Sequence, residues 1–409
     1  MSGLPSDQDA SGRLLGSEER DLLESVIKSG VLNSTRGRFV AELESRLGEL
    51  LDGACVVACS SGTAAVHTAL AALDPEPGSE VITSAVTDFG AVAPLLWQGC
   101  IPVFADVDPR TLNVTPASVE DRISPRTCAI VVTHLLGNPA DVPGIATVAR
   151  AHGIPVVEDC SQAYGATLDS RPVGTLADIA CFSLQQTKHI TTGEGGFVST
   201  RVGALGDRIH QFVNKARNYA DPEPEHHFLA MNYRMTELQG AVGVAQLAKL
   251  TEVVSRRRSL AGRLTAALEG HEGLSTATVL RNSASHSFWR FPVHVDSGTV
   301  PGGMQALARA LKAAGVPCAA GYQRPAFEWR AIKEQRTFGT SRYPFTLAHP
   351  QAVDYAPHRF KGTHEGLRNV VVLPWNECYT EAHVERIGAV LSAVHGELTG
   401  HGEGIARRE

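Results

Sequence analysis

From about residue 54 the chain alternates short β-branched, apolar runs with longer stretches whose apolar positions recur at helical spacing. "ACVVACS" (54–60) predicts a strand and "GTAAVHTALAAL" (62–73) a helix. "SEVITSA", "IPVFADV", "CAIVVTH", "IPVVEDC" and "IACFSL" follow as further strands, with helical segments between several of them. Unbroken Val/Ile runs signal strands covered on both faces, as in a mainly parallel sheet. Residues 54 to about 235 therefore predict a large α/β domain. After "MNYRMTELQGAVGVAQLAKL" the helical pattern continues through "VVSRRRSLAGRLTAAL", a bridge to a second part. That part holds a strand, "FWRFPVHV", and two helices, "GMQALARALKAAG" and "EAHVERIGAVLSAV". In the first of these helices Met304, Leu307, Ala308 and Leu311 share one face. The expected division is residues 1–250 and a smaller α+β domain at 251–409. "NYADPEPEHH" is polar and proline-rich and predicts a mobile loop.

A length of 409 residues suits two domains, and 43% hydrophobic with 20% charged residues is a globular composition. The net charge of -6 gives no basic footprint for nucleic acid. No apolar stretch reaches bilayer-spanning length, so no membrane partner is expected. The N-terminal "MSGLPSDQDASGRLLGSEERD" lacks the apolar core of a secretion signal, and a cytoplasmic location is expected. Most of the eight cysteines sit in apolar runs, as reduced buried side chains do. Cys55 and Cys59 are four apart with no second pair to complete a metal site, so no metal is expected.

Ligands of an open parallel sheet bind beyond the carboxyl ends of its strands. Four clusters fall there. In "CSSGTAAV" small residues open a helix directly after a strand, and Gly62 and Thr63 could hold a phosphate on free backbone N–H groups. Ordinary helix capping would use the same residues. In "VVEDCSQAYGA" Asp159 ends an apolar strand, where an ionised carboxylate needs a cationic partner. A pyridinium nitrogen is such a partner, and Gln162 could reach a neighbouring ring hydroxyl; an N-cap acid is the plainer alternative. In "SLQQTKHITTGEGGFVST" Ser183 ends a strand and Lys188 follows five residues later. A desolvated lysine amine can form a Schiff base with a carbonyl, with Gly193, Gly195 and Gly196 making a tight turn nearby; a solvated lysine entering a hairpin is the alternative. "MNYRM" adds Asn232 and Arg234 as polar donors.

The series Gly62-Thr63, Asp159-Gln162, Ser183-Lys188 and Asn232, in that order, resembles the DegT/DnrJ/StrS family of pyridoxal-phosphate sugar aminotransferases. "SGVLNSTRGRFVAELE", "IPVFADVD", "HLLGNPAD" and "VVVLPWNECYTEAHVERI" extend the match from about residue 15 to 396. The resemblance implies the aspartate-aminotransferase-like fold of fold type I enzymes: a mostly parallel seven-stranded α/β sheet domain plus a smaller C-terminal α+β domain. It implies pyridoxal 5'-phosphate, converted to pyridoxamine 5'-phosphate during turnover. Gly62, Thr63 and Ser183 would hold the phosphate, Asp159 the pyridine nitrogen and Gln162 the ring hydroxyl. Lys188 would be the Schiff-base lysine. A homodimer is implied, with Asn232 reaching the partner subunit's phosphate.

The implied reaction moves an amino group from glutamate or glutamine to a keto-sugar acceptor. A keto-cyclitol acceptor, a sugar dehydratase and a non-catalytic regulator are the alternatives. The dehydratases of this fold carry histidine in place of the lysine, and His189 is one position off. One departure from the family pattern stands out. Where an aromatic residue usually stacks on the pyridine, this chain has "TDFG", with Asp88 in the slot and Phe89 after it. A buried carboxylate must be desolvated, so Phe89 is expected to cover the ring; the alternative is that Asp88 meets the cofactor or substrate instead.

Overall fold

The computed structural model describes residues 3–218, 221–223, 225–276, 278–280 and 283–400. Tyr219, Ala220 and Pro224 of the expected mobile loop lie outside the described residues. The predicted apolar runs become the strands β1 (Cys55–Cys59), β2 (Glu80–Ser84), β3 (Ile101–Ala105), β4 (Thr127–Thr133), β5 (Val156–Asp159) and β6 (Ile179–Ser183). A seventh, β7 (Gly196–Thr200), completes the sheet in the order β1-β7-β6-β5-β4-β2-β3. Pairing is parallel between β3, β2, β4, β5 and β6, while β7 runs antiparallel to both β6 and β1. Val57, Val81, Val131 and Val157 pack on one side of the sheet, and Ile82, Val103, Ile130 and Val132 on the other. Burial on both faces explains the unbroken apolar runs.

Helix α1 (Ser17–Ser29) and helix α2 (Phe39–Leu50) precede the sheet, and α3 (Gly62–Ala72) leaves the end of β1. The bridging helix, α4 (Glu237–Ala267), is continuous for 31 residues. It opens on a capping box, in which Thr236 accepts from the Gln239 amide and Gln239 accepts from the Thr236 amide. The second part is a four-stranded antiparallel sheet, β8 (Leu274–Thr276), β9 (Arg290–Val295), β11 (Val370–Pro374) and β10 (Ala319–Ala320), in that order. Helices α5 (Gly303–Ala313) and α6 (Glu381–Thr399) cover it. Met304, Leu307, Ala308 and Leu311 are all buried in this second core, together with Phe291 and Trp375.

We propose the same two-part division as the sequence suggests, supported by these separate apolar cores. The boundary at 250/251 falls inside α4, which lends Leu250 and Val254 to the first core and Leu260 and Leu264 to the second. Among the described residues no helix is long and apolar enough to cross a membrane. Cys59, Cys100, Cys160 and Cys181 are buried, whereas Cys55 is exposed.

Candidate active site

The carboxyl ends of β1, β5 and β6 converge on one cavity of about 290 Å³. At its first edge Ser61 caps α3 by accepting from the Ala64 amide at 3.0 Å. The first-turn amides of Gly62 and Thr63 have no acceptor within the helix, and they line the cavity at its positive dipole end. A Cβ on Gly62 would come within 2.7 Å of the Ser183 Cβ, so glycine there lets the helix terminus sit against the end of β6. Ser183 Oγ, accepting from the Gln185 amide at 3.3 Å, stands on the same wall. Free amides, a positive helix end and a hydroxyl suit a phosphate group.

Along β5 consecutive side chains point to opposite faces, which separates Glu158 from Asp159. Glu158 turns inward and is held by the amides of Gly174, Leu176 and Ala177. His134 Nε2 donates to it at 3.1 Å, its Nδ1 accepting from the Ala140 amide. With His134 and Cys160, Glu158 is the one metal-like cluster among the described residues, and these backbone bonds engage its oxygens. Asp159 turns to the cavity, 5% exposed, and accepts from the Ser161 amide at 3.1 Å and from the Thr133 hydroxyl at 3.5 Å. Both hydrogen bonds come from neutral donors, and among the described residues no ion pair joins Asp159 to a cation at contact distance; a protonated pyridine nitrogen would supply one. Gln162 has its orientation fixed: Oε1 accepts from the Leu136 amide at 2.8 Å and Nε2 donates to the Tyr322 hydroxyl at 3.0 Å.

Lys188 lies in the loop 184–195 between β6 and β7, which is closed by Leu184 N to Gly195 O and Gln186 N to Gly193 O, both 2.8 Å. Gly193 adopts a left-handed φ of 82°, which a glycine allows at no steric cost. The Lys188 Nζ stands 4.2 Å from the centroid of the Trp289 ring. Desolvation lowers its pKa from 10.5 to about 8, although the nearby Asp159 and Asp88 pull the other way. At a pKa of about 8, roughly one tenth of the amine is neutral at pH 7, far more than for an ordinary lysine. His189 points away from the cavity into the core, 1% exposed, its Nε2 3.0 Å from the Ser287 carbonyl. Burial holds its pKa well below the ordinary value.

At residues 88 and 89 the structure differs from the expectation. Phe89 does not line the cavity; it is 43% exposed and meets Trp329 edge-on at 5.5 Å. Asp88 lines it instead. The cause is local: Asp88 caps the turn Phe89–Ala91, accepting from the Gly90 amide at 2.8 Å, and this fixes which of the two side chains faces inward. Asn232 is exposed and outside this cavity's walls, on a segment where Tyr233 O accepts from Ser60 N at 2.8 Å.

Several groups on the site escaped the sequence reading. A second cavity of about 420 Å³ shares Asp88, Gln162, Lys188 and Trp289 with the first, and adds Arg290, Tyr322 and Gln323. The Trp289 ring meets two cations, Lys188 Nζ and the Arg290 guanidinium, the latter 4.4 Å from its centroid. Arg290 pairs with Asp7 at 2.7 Å, and Arg13 donates to the Lys188 carbonyl at 2.7 Å, so the N-terminal segment packs against the site. The adjacent Trp-Arg pair opening "FWRFPVHV" was the available signal. A larger cavity, about 860 Å³, lies at the start of α5 beside Lys361, His364 and Arg368. None of the strand-end residues borders it, and the chemistry belongs to the smaller pair.

A phosphate cup, a buried carboxylate and an enclosed lysine around one cavity define an enzyme equipped for a phosphorylated pyridine aldehyde, and these residues fit that group. The chain belongs to the DegT/DnrJ/EryC1/StrS aminotransferase family, whose profile matches residues 14–392, and is a pyridoxal-phosphate-dependent aminotransferase. It is 35% identical over 300 residues to the GDP-perosamine synthase of Caulobacter vibrioides, covering 73% of this chain and 80% of that one. It is 36% identical over 255 residues to the L-glutamine:2-deoxy-scyllo-inosose aminotransferase of Streptomyces fradiae, covering 60% of each. The solved sugar aminotransferase CalS13 of Micromonospora echinospora superposes with a TM-score of 0.79 at 28% identity, over 92% of this chain and 97% of that one.

Proposed function

We propose that the protein moves the amino group of glutamate or glutamine onto a keto-sugar, a nucleotide-linked keto-hexose or a related sugar, to make an amino sugar. The observation that carries this reading is the paired cavity: the lobe holding Lys188 and Asp159 opens into a second one lined by Arg290, Tyr322 and Gln323. Arg290, Tyr322 and Gln323 place polar groups on a wall otherwise formed by residues such as Pro317, Val372 and Pro374, a mix that suits the hydroxyls and the carbon faces of a polyhydroxylated acceptor.

When bound, pyridoxal phosphate supplies the carbonyl that takes up the amino group and the ring that draws electrons from the reacting carbon. The Gly62 and Thr63 amides and the Ser183 hydroxyl would hold its phosphate. The Asp159 carboxylate would keep the ring nitrogen protonated, and Gln162 would lie beside the ring hydroxyl. Lys188 Nζ would take the proton from the donor's α-carbon and later deliver one to the acceptor carbon; its lowered pKa suits both tasks. Because donor and acceptor use one cavity in turn, ping-pong kinetics are expected.

We further propose a cytoplasmic homodimer in which the exposed Asn232 reaches the partner subunit's cofactor phosphate. A keto-cyclitol acceptor is the second reading, and the likeness to the scyllo-inosose enzyme favours it. A dehydratase is disfavoured, because Lys188 faces the cavity and His189 the core. The deciding experiment incubates the holoenzyme with glutamate or glutamine and a panel of keto-sugars and keto-cyclitols, with aminated products read by mass spectrometry. Amination of cyclitols alone selects the second reading, and no aminated product from either set overturns both.

A further inference from the structure

Asp88 is the carboxylate at the neck between the two lobes, one of only four residues on both walls. Its position is set by backbone rather than by chance. One carboxylate oxygen caps the turn at Gly90, and the other accepts from Gln323 Nε2 at 3.3 Å. A side chain on Gly90 would come within 2.7 Å of Thr63 Oγ1, so this turn sits directly on the phosphate cup. Next to Asp88, Thr87 bonds Thr133 at 3.0 Å, and Thr133 reaches Asp159. The acid is thus held at a fixed place relative to the reacting end of the site. A carboxylate can accept about four hydrogen bonds, its two partners here use two, and the residue lines both cavities.

Such a group discriminates by charge and by hydrogen-bond sense. It favours a hydroxyl or ammonium that can donate to it, and it disfavours a second carboxylate. Two kinds of ketone compete for this site: the polyhydroxy acceptor, and the 2-oxo acid released by the donor, whose return is the back reaction. We propose that Asp88 is the acceptor-selecting residue, accepting from a hydroxyl close to the acceptor's ketone a hydrogen bond that the returning 2-oxo acid has no hydroxyl to make. This rests on the polyhydroxy-ketone reading of the preceding subsection.

The test compares wild type with Asp88→Asn in two separately measured single-turnover reactions of the full-length enzyme. One consumes the amino-acid donor; the other consumes the keto-sugar or keto-cyclitol that the panel identifies. Asp88→Asn is expected to lower kcat/KM for the polyhydroxy ketone by roughly 10- to 100-fold, the scale of a lost charge-assisted bond. The preference for that ketone over 2-oxoglutarate should narrow by a similar factor. Calorimetric affinity for the corresponding unreactive polyol should fall in parallel. Asp88→Ser, which can still cap the turn, carries the same comparison if the amide variant fails to fold. Equal effects on both reactions, an unchanged preference, or loss of cofactor from both variants overturns the assignment. A wild type that aminates no polyhydroxy ketone overturns the functional reading and this inference together. One that does, while Asp88→Asn keeps its preference, overturns this inference alone.

Discussion

The two lobes of the site are built from different kinds of sequence. The inner lobe is assembled from residues at strand ends, Gly62 after β1, Asp159 at the end of β5 and Ser183 at the end of β6. Each sits within a few positions of an apolar run that dictates where its strand stops. The outer lobe takes Arg290 from β9, and Tyr322 and Gln323 from the segment after β10. These have no common local pattern, and only the packing of the second core on the first brings them to the neck. Chemistry shared by a class of enzymes can be written in local motifs, whereas substrate choice is carried by tertiary placement.

This contrast makes a graded set of predictions. The inner lobe should carry the largest effects. Lys188→Ala should lower transamination by roughly 10²- to 10⁴-fold, the span for losing a positioned acid–base group, while the phosphate cup still binds cofactor. Borohydride should fix cofactor to the peptide containing Lys188 in the wild type and not in the variant. A label on another lysine would break the inner-lobe assignment.

Asp159→Asn should come next. Removing a charge beside a titrating nitrogen is worth roughly 1–3 pKa units, so donor-reaction rates should fall by about 10- to 1000-fold with much less change in cofactor affinity. Equal rates in variant and wild type would remove Asp159 from its role. The pH dependence is smaller and has a definite sign. Capture of a pyridine aldehyde by the cofactor-free protein needs the neutral Lys188 amine. Because the amine's pKa is lowered to about 8, the capture rate should rise with pH below that value and level off above it. A rate still climbing toward pH 10 would mean an ordinary solvated lysine. Smallest of all, Tyr322→Phe in the outer lobe removes the acceptor for Gln162 Nε2 and should cost about 0.5–1.5 kcal/mol in acceptor kcat/KM.

Where the sequence was legible, one physical rule sufficed. The helical face of Met304, Leu307, Ala308 and Leu311 was readable because one-sided burial imposes a period, and the Val/Ile strands because burial on both faces leaves an unbroken apolar run. β7 is as long as β1 or β6, but in "GFVST" only Phe197 and Val198 are large and apolar, too few for a run to stand out. The exchange of Asp88 for Phe89 shows a preference failing against geometry. An aromatic residue is the better partner for a ring, but a turn that needs an acceptor on its Gly90 amide fixes the acid inward first. Arg290 read as part of a strand because nothing in "FWRFPVHV" tells which residue the chain's far N-terminus will meet.

That N-terminal contact bears on how the polypeptide is made. Gly12 accepts a hydrogen bond from Asn376, 364 residues downstream, and Asp7 pairs with Arg290. Asp7 and Gly12 leave the ribosome well before Arg290 and Asn376 and cannot dock until those residues have followed them, at a synthesis rate of about 5–20 residues per second. Through that interval the α/β core has its strands in hand while the segment that braces Arg290 and the Lys188 loop still waits. The site is therefore braced only after Asn376 has been made, by a segment that was made long before it.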